Sequence, residues 1–131
     1  MGDAQNTGRA GERAAERFLV RRGWTTIVRN WRGGGGELDL VAHRRGVVAV
    51  CEIKTRRADG ALDEVLTAAQ RERIARAAAM FLAHRPELAR HVVRFDLLTV
   101  VPGRLRWRVR HLAGAFDSRP ANVRRSQASV G

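Results

Sequence analysis

The sequence predicts an α/β fold, a mixed central sheet flanked by helices. Three observations carry this. Apolar residues recur at helical spacing in two separated stretches, 8–22 and 64–84. Three short runs rich in apolar and β-branched residues lie between those stretches, and two more follow the second. The order helix, three strands, helix, strand, strand makes the third and fourth strands parallel neighbours, because a helical crossover separates them.

Each element has its local signal. In residues 8–22, Ala14, Ala15, Phe18 and Leu19 form one stripe and Gly23 supplies the stop. Trp24 to Arg29 reads as a strand through Thr25, Thr26, Ile27 and Val28. Asn30 to Gly36 reads as a loop, its four glycines forming a flexible hairpin connection; no Gly-Lys-Ser/Thr follows, which excludes a P-loop. In Glu37 to Ala42, period two puts Leu38, Leu40 and Ala42 on one face and Glu37, Asp39 and Val41 on the other. Val47 to Lys54 is mostly apolar, hence central, with Val48, Val50, Glu52 and Lys54 sharing a face. Residues 56–62 read as a loop. The second helix turns Ala69, Ile74, Ala77, Ala78, Phe81 and Leu82 inward and stops before Pro86. Val92 to Val101 is the fourth strand, where Arg94 and Asp96 share a face as a structural ion pair. In the fifth, Leu105, Trp107, Val109 and His111 alternate with Arg104, Arg106, Arg108 and Arg110, the mark of a half-exposed edge. Trp24, Trp31 and Trp107 read as core or cover, and the four histidines as incidental.

A chain of 131 residues with 44% hydrophobic content suits one domain. A formal charge of +12 points to a polyanion. Nucleic acid is the first candidate, through counterion release at phosphates; an anionic membrane surface, ribosomal RNA or a plain arginine bias compete with it. Cys51 is the single cysteine, which excludes an internal disulfide and fits a reducing cytoplasm. No apolar run approaches a membrane span, and no signal peptide opens the chain.

Lys54 is the single lysine among 25 basic residues. Arginine is a fixed fork, whereas lysine is a compact amine with a tunable charge. It follows Glu52 and Ile53, and Asp39 lies on the preceding strand. Two carboxylates brought together across an antiparallel pair hold Mg²⁺, a hard cation that keeps several waters. An adjacent ammonium orients the attacking water or stabilises the charged transition state. The pattern therefore outlines a metal-dependent phosphodiesterase site, with a surface or structural charge cluster as the equal alternative. Glu12 projects from the inward side of the first helix, either toward that site or as a first-turn acid favoured by the helix dipole.

Gly11-Glu12-x-x-Ala15, Gly23-Trp24, Arg29-Asn30-Trp31-Arg32, Gly36-Glu37-Leu38-Asp39-Leu40, Glu52-Ile53-Lys54-Thr55-Arg56, Arg94-Phe95-Asp96-Leu97 and Ala115-Phe116 resemble the signature blocks of the YraN-like family of small bacterial proteins. That family resembles the PD-(D/E)xK restriction-endonuclease-like superfamily, and within it the Holliday-junction resolvases. The resemblance implies a restriction-endonuclease-like αβββαβ core over residues 8–116, between a flexible N-terminus (1–7) and a disordered basic tail (117–131). It implies Asp39 and Glu52 as ligands of Mg²⁺ or Mn²⁺, Lys54 as the catalytic lysine and Glu12 as an auxiliary metal ligand. Gln70 stands where the family pattern leads one to expect a lysine. Arg32, Arg56, Arg57 and Gln70 are the candidates for nucleic-acid contacts, DNA above all. A resolvase acts as a two-fold homodimer, with Leu105 to His111 as a candidate pairing edge. The alternatives are a nucleic-acid-binding module without catalysis and an RNA- or ribosome-associated factor using the basic tail.

Overall fold

The strands carry apolar side chains on both faces, so the sheet needs cover on both, and one helix lies against each. The computed structural model describes residues 2–57 and 66–117, with side chains from Gly8 onward. The elements run α1 (Gly2–Arg21), β1 (Thr25–Gly33), β2 (Gly36–Arg44), β3 (Val47–Thr55), α2 (Ala68–Ala83), a 3₁₀ turn (Pro86–Leu88), β4 (Val92–Pro102) and β5 (Trp107–Phe116). The strands lie in the order β1-β2-β3-β4-β5. All neighbours are antiparallel except β3 and β4, which are parallel as the crossover requires. This α/β architecture agrees with the expected αβββαβ core. No helix among the described residues is long and apolar enough to cross a membrane.

Two cores result. Under α1, Ala14, Ala15, Leu19 and Trp24 pack on Leu40, Ala42, Ala49, Cys51, Ile53, Leu98 and Val100. Under α2, Ile74, Ala77, Ala78 and Phe81 pack on Leu38, Val41, Val48, Val50 and Phe95. Trp31 meets Phe81 edge-on at 5.5 Å, which settles it as a core cover.

Several boundaries differ from the sequence reading. Helix α1 begins at Gly2 rather than residue 8. Helix α2 begins at Ala68 because Thr67 and Gln70 form a capping box: Thr67 Oγ1 accepts the Gln70 N–H and Gln70 Oε1 accepts the Thr67 N–H. Ala69 is therefore exposed in the first turn. The loop expected at 56–62 lies largely outside the described residues, as does the tail beyond Asp117. Asn30-Trp31-Arg32 is strand, not loop, because Trp31 and Arg32 pair with Leu38 and Glu37. The glycines after them form a tight turn at Gly34 and Gly35, both with positive φ. Gly36 serves close approach: a Cβ there would sit 2.6 Å from the Arg73 carbonyl oxygen of α2. Leu105 is 96% exposed in a bend outside β5, so the edge strand starts at Trp107.

At the other end of the sheet, β5 bulges opposite Asp96, where pairing shifts from Phe95↔Phe116 to Leu97↔Leu112. The fully buried Asp96 carboxylate accepts a bidentate pair from Arg94 at 2.8 and 2.9 Å. His111 Nε2 contacts it at 2.7 Å and the Gly114 N–H donates at 3.0 Å. Histidine 111 is thus structural, not incidental. Burial would raise the Asp96 pKa, but these bonds overcome it and hold the group at about 2.

Three outcomes follow from this packing. Asp96→Asn strands Arg94 and should cost about 3 kcal/mol in urea unfolding. The Asp96 contribution is complete above the ordinary carboxylate range and is lost as pH falls toward 2, since the unfolded chain binds the proton first. Gly36→Ala forces β2 away from α2 and should cost roughly 1–3 kcal/mol by the same measurement.

Candidate functional site

Period-two alternation fails at one place in β2. Leu40 belongs to the α1 core but Leu38 to the α2 core, so the two leucines expected on one face are divided. In β1, Arg29 reaches Glu16 of α1 while Trp31 packs on the α2 side. Both strands therefore change face at the intervening residues, Asn30 and Asp39, which fall opposite one another between the Arg29↔Leu40 and Trp31↔Leu38 pairs. Asn30 adopts a positive φ of 48°, a conformation asparagine tolerates better than most residues.

The same position ends the β2–β3 ladder, whose last pair is Leu40↔Cys51. Asp39 Oδ2 accepts the Ile53 N–H at 2.8 Å. A side chain thereby satisfies a backbone donor. Beside it, Glu52 and Lys54 project from β3, with Lys54 Nζ 3.4 Å from Glu52 Oε1 and both side chains largely shielded, 20% and 16% exposed. Asp39, Glu52 and Lys54 do converge.

Electrostatically the convergence is tense. Burial raises Asp39, against the Ile53 N–H and a hydrogen bond from Glu52. Burial and then the Asp39 charge push Glu52 up to about 7, against the attraction of Lys54. Adjacent half-buried carboxylates resist joint ionisation, and the Asp39 charge therefore favours the protonated form of Glu52.

Asp39 borders two clefts on opposite sides of the sheet. One, of about 460 Å³, is lined by Asp39, Glu52, Glu37, Arg32, Gln70 and Arg73, with the Gly35-Gly36 backbone. The other, of about 430 Å³, is lined by Asp39, Glu12, Arg9, Arg13 and Asn30 among others. Glu12 is raised by burial and by the Asp39 charge, and is steadied by a hydrogen bond from Asn30. It stands on the α1 side of Asp39. Among the described residues no three carboxylate, histidine or cysteine groups gather closely enough to hold a metal, so Glu12 does not complete a cluster with Asp39 and Glu52.

The other candidates separate. Arg32 borders the first cleft, exposed and loosely paired with Glu37 at 3.7 Å. Gln70 borders it too, but its amide oxygen is committed to the α2 cap. Arg56 donates to the Thr55 carbonyl and its N–H binds Val100 O, while Arg57 is exposed; neither is among the described residues lining the cleft. Sequence reasoning missed Asn30 and Arg73. A cue existed for Arg73, which lies one helical turn beyond Gln70 and so on the same helix side.

Comparison with known proteins gives consistent relatives. The model of the uncharacterised protein family UPF0102 matches residues 11–100. A UPF0102 protein of Paramagnetospirillum magneticum is 44% identical over 117 residues, covering 86% of this chain and 88% of that protein. One of Symbiobacterium thermophilum is 42% identical over 111 residues, covering 81% and 93%. One of Nitrobacter winogradskyi is 37% identical over 115 residues, covering 88% and 95%.

The raised Glu52 group sets a pH dependence with a definite sign. Its proton is held by the folded protein and released by the unfolded chain between about 4.5 and about 7. Stability from this group is full below that window and lost as pH rises through it. Unfolding free energies from urea titration should fall between pH 5 and pH 8 by an amount on the order of 2 kcal/mol, and Glu52→Gln should flatten that fall.

Proposed function

The chain belongs to the uncharacterised protein family UPF0102, which is the YraN-like family, and from that premise and the geometry of the first cleft we propose a metal-dependent phosphodiester hydrolase acting on structured or branched DNA. The observation that carries the proposal is the meeting of Asp39, Glu52 and Lys54 where the β2–β3 ladder ends.

The donor set fits the metal. Asp39 and Glu52 present hard oxygens from adjacent strands; burial disfavours both as anions, and the Asp39 charge raises Glu52 further. A divalent cation held there would favour both carboxylates as anions. Mg²⁺ is commonly held by one or two carboxylates, with water and substrate oxygens completing its shell, so two protein carboxylates suffice for Mg²⁺ or Mn²⁺. When bound, the ion lowers the pKa of a water and shields the phosphate.

The chain's own groups do the rest. To hold the ion Glu52 would have to be deprotonated, so metal affinity would rise with pH through about 7. The Ile53 N–H fixes the Asp39 carboxylate so that its other oxygen is aimed consistently. Lys54 sits beside Glu52, where an ammonium orients the attacking water or meets charge developing on the phosphate. Glu12, from the far side of Asp39, supports the site by its field and through Asn30 rather than as a ligand. The net positive charge of +12 supplies the attraction to DNA, and Arg32, at the cleft mouth, is a phosphate contact. Action on two strands would use a two-fold dimer, with β5 at the sheet edge as its pairing surface.

One observation favours a second reading, a DNA- or RNA-binding module without catalysis: among the described residues no third carboxylate, histidine or cysteine joins Asp39 and Glu52. One assay separates the two. Purified protein is incubated with branched, flap, single-stranded and duplex DNA, with and without Mn²⁺ or Mg²⁺. The hydrolase gives metal-dependent cleavage that drops at least about 10³-fold in Glu52→Ala and Lys54→Ala while binding persists. Salt-sensitive binding unchanged by both substitutions, with no cleavage in the wild type, identifies the module.

A further inference from the structure

The first cleft contains a cation that the metal-site chemistry does not use. Arg73 lies on α2, across the cleft from Asp39 and Glu52. Its side chain is exposed, and no hydrogen bond or ion pair engages it among the described residues. Every other charged side chain lining that cleft has a neighbour: Arg32 pairs with Glu37, and Glu52 with Lys54 and Asp39.

Its backbone, by contrast, is held tightly. The capping box fixes the start of α2 one turn earlier. Ile74, its neighbour, is buried in the α2 core. Gly36 lies against the Arg73 carbonyl oxygen with no room for a side chain. The strand that begins at Gly36 carries Asp39, so one backbone contact sets the distance between the arginine's helix and the carboxylate. The intervening space of about 460 Å³ amounts to about 15 water volumes. That is room for a hydrated cation and a phosphodiester in the cleft that Arg73 shares with Asp39 and Glu52.

We propose that Arg73 is a phosphate-binding residue of this cleft beside Arg32, gripping the DNA backbone from α2 while Asp39 and Glu52 face the same phosphate from the sheet. This rests on the hydrolase or DNA-binding reading above and assigns the substrate's grip within it. Guanidinium suits the task, since its planar fork matches phosphate oxygens two at a time. It also accounts for Gln70: the residue at the expected lysine position spends its amide oxygen on the helix cap, and the positive charge enters the cleft one turn later.

The test compares wild type with Arg73→Gln, Arg73→Lys and, as a remote control, Arg90→Gln. Branched DNA binding is measured by anisotropy across a salt series, cleavage with Mn²⁺, and Mn²⁺ affinity by calorimetry. Arg73→Gln should lower the salt slope by about 1 and cleavage by about 10²-fold. Mn²⁺ affinity should stay within about twofold of wild type, and Arg73→Lys should regain the salt slope but only part of the rate. Arg90→Gln should match wild type. If wild type binds DNA and Arg73→Gln keeps its full slope, the assignment of Arg73 is overturned while the functional reading stands. If wild type binds but does not cleave, the slope alone decides Arg73. If wild type neither binds nor cleaves, the functional reading fails and the assignment with it.

Discussion

The carboxylate of Asp39 occupies a place in the backbone hydrogen-bonding of the sheet. Beyond Leu40↔Cys51 the β2–β3 ladder carries no further pair, and the Ile53 N–H is satisfied by Asp39 Oδ2. An orphaned donor at that depth would cost about 1–3 kcal/mol, so the bond lets the two strands part at a tolerable cost. The parting has several consequences. Asp39 touches a cleft on each side of the sheet, Glu52 and Lys54 lie beyond the last β2–β3 pair, and β1 and β2 both change face at Asn30 and Asp39. The positive φ of Asn30 is the conformational cost of that change, and its side chain is reused to hold Glu12.

Asp96 shows what the same device does in different company. It too accepts a backbone N–H at an irregularity in the sheet, from Gly114 at the β5 bulge. Asp96 is also met by a bidentate guanidinium and an imidazole, so it stays ionised and serves the structure. Asp39 is met by a second carboxyl group, and the pair is left short of positive charge. Two aspartates in one sheet, one fully and one half buried, thus have pKa values moved in opposite directions. Burial raises both; at Asp96 the cationic and N–H partners outweigh it and at Asp39 they do not, and a perturbed pair beside a cleft is the kind of arrangement in which functional sites are found.

Much of this was legible in the residues. Helix and strand periods, Gly23 as a stop, the crossover that makes β3 and β4 parallel, and the shared face of Val48, Val50, Glu52 and Lys54 all come from local spacing. The solitary Lys54 pointed to its own position. Errors gathered where a long-range contact overrode a local signal. Asn30-Trp31-Arg32 looks like loop because Asn and the glycines after it favour turns, yet pairing with β2 keeps it extended. Ala69 fits a helical stripe, but the Thr67 cap leaves it on an uncovered first turn.

By itself the sequence determined the element order, the parallel pair, the two-sided core and the three residues that meet, because each depends on periodicity and connectivity along the chain. Only the tertiary structure decided that Leu38 and Leu40 face opposite ways, that Glu12 stands across the sheet from Glu52, and that Arg73 enters the cleft. Those facts depend on how two strands separate around one carboxylate and how closely a glycine lies against a helix. Such distances between remote segments follow from packing, which no local pattern encodes.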